Sequence, residues 1–101
     1  MRFGAKLAKG AFMKCVISVL GKDRSGIVAA VAVALAECGA SIDDISQTIL
    51  GEMFSMTMLT TLDNSVADFN TVQEKLETVG ADLGVQITIQ REDVFQFMYK
   101  L

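Results

Sequence analysis

The spacing of apolar and polar side chains changes along this chain, and the changes mark its elements. Residues 14–20 (KCVISVL) form a short, β-branched run closed by Gly21, which predicts a buried strand. The next segment, Gly21-Lys22-Asp23-Arg24-Ser25-Gly26, is polar and framed by glycines. Residues 27–38 follow without a breaker and are too many for a strand. They predict a helix despite their valines, with Asp23 or Ser25 as N-cap and Gly39 as C-cap. In residues 42–50 (IDDISQTIL), Ile45 and Ile49 share a face with Asp43 and Gln47, and Asp44, Ser46 and Thr48 take the other. In residues 53–62 (MFSMTMLTTL), Phe54, Met56 and Met58 oppose Ser55, Thr57 and Leu59. The turn Gly51-Glu52 between these two runs predicts a β-hairpin. After a loop at 63–67, residues 68–83 place Phe69, Val72, Leu76, Val79 and Leu83 at steps of three and four, the stripe of an amphipathic helix ended by Gly84. Residues 85–90 (VQITIQ) alternate as a last strand, and Phe95, Met98 and Tyr99 space a short helix over 93–101.

The order is βαββαβ with a tail helix. Right-handed crossovers interleave the two β-α-β units into one sheet. The predicted class is α+β, a ferredoxin-like sandwich: a four-stranded antiparallel sheet with two helices on one face, plus a short C-terminal helix. The long helix's stripe is expected to pack on Ile17, Val19, Ile45, Phe54, Met56, Ile87 and Ile89. Val16, Ser18, Leu20, Ser55, Thr57 and Leu59 should point to the open face. Residues 1–12 lack a clean period and read as an N-terminal extension outside the fold, either a native arm or a non-native extension that is expression-derived or comes from an upstream start. Residues 13–101 read as a single domain.

Composition narrows the function. Of 101 residues, 51% are apolar and 21% charged, which is rich for one small domain and points to surface hidden in an oligomer. The first predicted helix agrees: Ile27, Val31, Ala34, Leu35 and Cys38 make one core stripe, while Val28, Ala29, Ala32, Val33 and Ala36 make its back apolar too. A homodimer or higher homo-oligomer is expected. Residues 1–12 carry Arg2, Lys6 and Lys9 and no acid; with a total of -3, the remainder carries -6. That is not the charge of a nucleic-acid binder. No apolar run is long enough to span a membrane, and Lys14 breaks the stretch that superficially suggests a signal peptide. Cys15 and Cys38 lie apart in apolar runs and read as reduced packing thiols of a cytoplasmic protein.

There is no histidine, hence no histidine base, triad or metal ligand. No nucleophile–base pair or carboxylate site stands out, so neither catalysis nor a cofactor is expected. Asp43 and Asp44, as neighbours on a strand, should point to opposite faces rather than share an ion. The open face lacks the aromatics that stack RNA bases. The first loop lacks the C-x-x-C that binds soft metals. An arginine-and-asparagine phosphate cradle fails because Asn64 and Asn70 lie outside the middle strands.

What remains is the first loop. The amides of Gly26, Ile27 and Val28 would open a helix without intrahelical partners, a receptor for a carboxylate. Asp23 could hold an ammonium beside it. Together they suit an α-amino acid. A tight β-to-α connection with no ligand fits the same spacing.

G-x-D-R-x-G-I-V after a first strand, with Glu37-Cys38-Gly39-Ala40-Ser41-Ile42 ending the helix, resembles the ACT domain, a small regulatory module that binds amino acids. The likeness runs from Met13 to Leu101. The stretch Ile42-Asp43-Asp44-Ile45-Ser46-Gln47-Thr48-Ile49-Leu50 and the Phe95-x-x-Met98-Tyr99 tail are similar to stand-alone bacterial and archaeal ACT proteins, which resemble the halves of the glycine-cleavage-system transcriptional repressor. Two positions depart from the common pattern: Ser25 stands where proline is frequent, and Ser41 where asparagine is frequent. The resemblance implies a ligand site at Gly21, Asp23, Arg24, Ser25, Gly26, Ile27, Ser41, Ile42 and Asp43, with an amino acid as ligand. A purely structural dimerisation module without a small molecule is the alternative.

Overall fold

A computed structural model describes residues 12–23 and 25–99. The order is β1 (Phe12–Lys22), α1 (Ile27–Glu37), β2 (Ser41–Leu50), β3 (Met53–Asp63), α2 (Phe69–Leu83), β4 (Val85–Arg91) and α3 (Glu92–Tyr99). The strands form one antiparallel sheet in the order β2-β3-β1-β4, the predicted ferredoxin-like arrangement. β1 extends two residues beyond the expected run at each end, because Phe12 and Lys22 still find partners in Asp63 and Met53.

Local signals set the joints. Gly51 has φ 64, and no residue other than glycine has positive φ among those described, so the turn Gly51-Glu52 fits type II′, whose twist matches the flanking strands. α1 ends at Cys38: the amide of Gly39 donates to Ala36 O at 3.0 Å and that of Ala40 to Leu35 O at 2.9 Å, a Schellman pair. Gly39 is thus one residue past the cap. α2 is capped by Asp68, whose carboxylate accepts from the Thr71 amide at 2.9 Å. That bond holds the Asp68 carboxyl below its ordinary 3.8.

The core lies between the sheet and α1–α2. Ile17, Val31, Leu35, Met58 and Leu62 are fully enclosed, with Val72, Leu76, Phe54 and Met56 beside them. Phe69, Val79 and Leu83 are half-buried at its margin. Thr60 is the one polar residue in the core among those described, and its hydroxyl donates to Cys15 O at 3.2 Å. Burial also pushes the Cys15 thiol up to about 11, so it stays protonated and inert.

Two expectations about faces need correction. Ile45 is not in the core: it is 38% exposed although it shares a rung with Met58. α2 lies over β4 and against α1, and although α1 touches the edge strand, all ten residues of β2 are exposed. Val16 is the reverse case. It shares rungs with Leu59 and Gln90, on the face away from α1 and α2, yet it is only 2% exposed. α3 packs against β1 and β4 and closes that part of the face. Arg91 anchors it, donating to both Asp93 oxygens at 3.1 and 2.6 Å.

Replacing Leu76 by Ala should lower urea-unfolding stability by about 2–5 kcal/mol, whereas Val33→Ala, on the exposed back of α1, should change it by less than about 0.5 kcal/mol. NMR titration should put the Asp68 midpoint below 3.8. Because the folded value is the depressed one, the cap's contribution is complete above the unfolded pKa and vanishes as pH falls through the folded value. Asp68→Ala should therefore flatten the acid limb of the stability profile.

Candidate functional site

The first loop leaves the sheet at a crowded point. Gly21 shares rungs with Phe54 and Val85, and a Cβ there would stand 2.7 Å from Val85 Cγ1. Glycine is needed at this position for close packing. The Asp23 amide donates to Glu52 O at 2.7 Å, tying the loop to the β2–β3 turn. Lys22 and Glu52 face each other at 3.7 Å on the surface. Arg24 lies outside the described residues.

Gly26, not Ser25 or Asp23, is the N-cap of α1, and no side chain caps this helix. Gly26 has φ 90, a left-handed conformation that turns the chain sharply into α1 and displaces the preceding side chains from capping position. Its carbonyl accepts the first helical bond, from Ala30 N at 2.9 Å. The amides of Ile27, Val28 and Ala29 form the first turn, where a helix offers no internal acceptor. Ser25 and Gly26 are exposed, and a Cβ on Gly26 would meet nothing within 4 Å, so the approach to this turn is open. Ile27 is buried and fixes the helix start to the core.

Ser41, Ile42 and Asp43 open β2, and here regular alternation breaks. Ser41 pairs with Thr61 and Ile42 with Thr60, but Asp44 pairs with Leu59, leaving Asp43 as the extra residue of a β-bulge. The Asp43 carboxylate accepts from Thr61 Oγ1 at 2.6 Å and Ser41 Oγ at 3.4 Å, and Lys14 Nζ lies 3.7 Å away. Lys14 also reaches Thr61 Oγ1 at 3.5 Å. Thr61 and Leu59 lie on the face away from the helices, so Asp43 and Asp44 both stand toward that face. The expectation of opposite faces is corrected by the bulge. Asp44 Oδ1 is turned back onto the Ile45 amide at 2.8 Å. Among the described residues no group of three or more His, Cys, Asp or Glu could hold a metal.

One chain does not bring the two halves of the predicted site together. Gly21 lies on the rung of Phe54 and Ile49, whereas Ser41 lies on the rung of Thr61 and Lys14. Seven residues of β1 separate these rungs, about 23 Å at strand rise. Gly21, Asp23, Ser25, Gly26 and Ile27 cluster at one end of the sheet, and Ser41, Ile42 and Asp43 at the other. Sequence reading missed the bulge, for which two adjacent aspartates inside a strand are the available signal. It also missed a hollow of about 220 Å³ beside it, lined by Asp44, Ile45, Ser46, Thr57 and Leu59.

A family model described as the ACT domain matches residues 14–90. A UPF0237 protein of Methanocaldococcus jannaschii is 47% identical over 88 residues, which are 87% of this chain and 98% of the relative. The ACT domain protein from Streptococcus pneumoniae superposes with a TM-score of 0.72 at 44% identity, over 83% of this chain and 94% of that one. A protein provisionally identified as a glycine cleavage system transcriptional repressor gives 0.71 at 25% identity, with 79% of this chain covering 46% of that one. The regulatory subunit of aspartate kinase from Thermus thermophilus gives 0.60 at 31% identity, with 79% covering 53%. With the βαββαβ sheet, the glycine-framed loop and these matches in agreement, the chain belongs to the ACT domain family, among its stand-alone UPF0237 proteins.

Proposed function

We propose that this protein is a regulatory binding module rather than an enzyme, that it takes an α-amino acid at the start of α1, and that it works as a homodimer joined through β2 in the cytoplasm. ACT domains are regulatory modules that bind small molecules, and the neighbour from Thermus thermophilus is named a regulatory subunit. Among the described residues no helix is long and apolar enough to cross a membrane.

The observation that carries the reading is the split site together with the bare edge. Among the described residues β2 is an edge strand, paired on one side only and exposed along all ten residues, with Ile42, Ile45, Ile49 and Leu50 on it. Such an edge is a template for another strand. Two-fold antiparallel pairing of β2 with its copy reverses the strand. The partner's Ser41–Asp43 end then lies level with this chain's Leu50 end, where the first loop stands. One dimer would so assemble two complete sites from four halves. In each, the amides of Ile27 and Val28 would receive the ligand carboxylate, as Asp68 supplies a carboxylate to α2. Asp23, or Asp43 across the interface, would face the ammonium.

Sedimentation equilibrium at micromolar concentration should give a dimer, and Ile45→Lys, which places like charges near the two-fold axis, should shift it to monomer. A wild-type monomer overturns the pairing. Screening the twenty amino acids for a rise in melting temperature should find a ligand. Titration calorimetry of that ligand should show binding at least about tenfold weaker, about 1.4 kcal/mol, in both Gly26→Val and Asp23→Ala. Unchanged affinity in both moves the site elsewhere. A dimer whose melting temperature no amino acid raises is the structural module instead.

A further inference from the structure

β2 turns its peptide groups alternately toward β3 and toward its outer edge, and one side chain occupies part of the outer row. The phase of the two rows follows from the first loop. The Asp23 amide donates to Glu52 O at 2.7 Å, one step beyond the Lys22–Met53 rung and in the same register. Antiparallel rungs alternate between bonded and non-bonded pairs. Phe54, Met56 and Met58 therefore turn their peptide groups to β1, and Ser55, Thr57 and Leu59 turn theirs to β2. Thr48, Ser46 and Asp44, on the rungs of these last three, face back toward β3. Ile45, Gln47 and Ile49 are left with amide and carbonyl directed to the outer edge. Of these, Ile45 is already engaged: its amide donates to Asp44 Oδ1 at 2.8 Å. In the β2 pairing proposed above, the register with Ser46 on the two-fold axis sets Ile45 opposite the partner subunit's Gln47. Such a pair exchanges two hydrogen bonds, one of them donated by the Ile45 amide.

Resting on that pairing, we propose that Asp44 is a latch on the β2 edge: its carboxylate holds the Ile45 amide in the single chain and must release it before a second copy pairs. One N–H does not serve a carboxylate at 2.8 Å and a partner carbonyl equally well, so pairing exchanges a charge-assisted bond for a neutral one. The released carboxylate has a place to go. Asp44, Ser46, Thr57 and Leu59 stand on neighbouring rungs of the open face and, with Ile45, line the hollow of about 220 Å³. The Ser46 and Thr57 hydroxyls are donors for it there. Two positions for one carboxylate give the edge a capped and an open state. The capped state guards the single chain against indiscriminate strand addition, as bulges and charged side chains do on other edges. A ligand held between the first loop of one copy and β2 of the other binds only the paired state, and so supplies the free energy that opening the latch costs.

Sedimentation velocity over a dilution series of the full chain reads the dimer Kd. Each dimer opens two latches, so Asp44→Ala should tighten pairing about tenfold. Asp44→Asn, which removes the charge and keeps an acceptor oxygen, should tighten it less. Repulsion between the two Asp44 carboxylates predicts instead that both variants gain equally and that the gain fades in about 0.5 M salt; that result overturns the latch. Ser46→Ala with Thr57→Ala should loosen the wild-type dimer about threefold and leave the Asp44→Ala dimer unchanged, and equal loosening in both backgrounds overturns the proposal. Amide hydrogen exchange in dilute protein gives a readout independent of association. Ile45 should be more protected than Gln47 and Ile49, with the difference erased in Asp44→Ala, and equal protection of all three in the wild type overturns the latch. A chain that stays monomeric in every variant fails the pairing itself, whereas a dimer whose Kd Asp44→Ala leaves unchanged fails the latch alone.

Discussion

β1 lies between β3 and β4, and from Cys15 to Gly21 it is paired on both edges. A strand in that position must satisfy its backbone on both sides and fill the space above its helix-facing side chains. Cys15, Ile17 and Val19 do this as an enclosed row, with Gly21 as the last position because Val85 leaves no room for a Cβ. The loop that follows is therefore launched from a fixed point. Ile27, buried six residues later, fixes its other end. Between the two, the chain must turn within a few residues, and Gly26 in a left-handed conformation makes the turn.

The second constraint is one of width. Two helices packed side by side cover the core face of β1, β3 and β4, while β2, which α1 touches, keeps all ten residues exposed. β2 is thus half a core strand: it offers Ile42, Ile45 and Ile49 toward the helix side, and they stay 39%, 38% and 56% exposed. Among the described residues its outer hydrogen-bonding edge has no partner strand. An edge left open in this way lacks apolar burial and backbone pairing alike, and the proposed pairing of two β2 strands would supply a partner for it.

The other sheet face is treated unevenly. α3, held by the Arg91–Asp93 pair, covers the β1–β4 side and encloses Val16. The β2–β3 side keeps Ser46, Ser55, Thr57 and Leu59 exposed around the bulge. The bulge itself rests on the Asp43–Thr61 bond and the nearby Lys14, which fix the carboxylate at the strand's entry.

The sequence by itself determined the element order, because the elements carry local signals: period two in β3 and β4, period three to four in α2, and glycine at four of the joints. It determined the fold class as well, since right-handed crossovers leave few ways to join βαββαβ. The candidate loop was legible for the same reason, being a glycine-framed polar stretch between a strand and a helix. Tertiary structure decided what depends on neighbours. Ile45 has the pattern of a core residue and lies beyond the helices' cover, while Val16 has the pattern of an open-face residue and lies beneath α3. Asp43 left the strand's alternation because a bulge is a property of two paired strands, and one strand's period does not register it. Above all, the seven-residue separation of the loop from Ser41–Asp43 is set by sheet register, which comes from hydrogen bonds between segments far apart in the chain; no local pattern carries it.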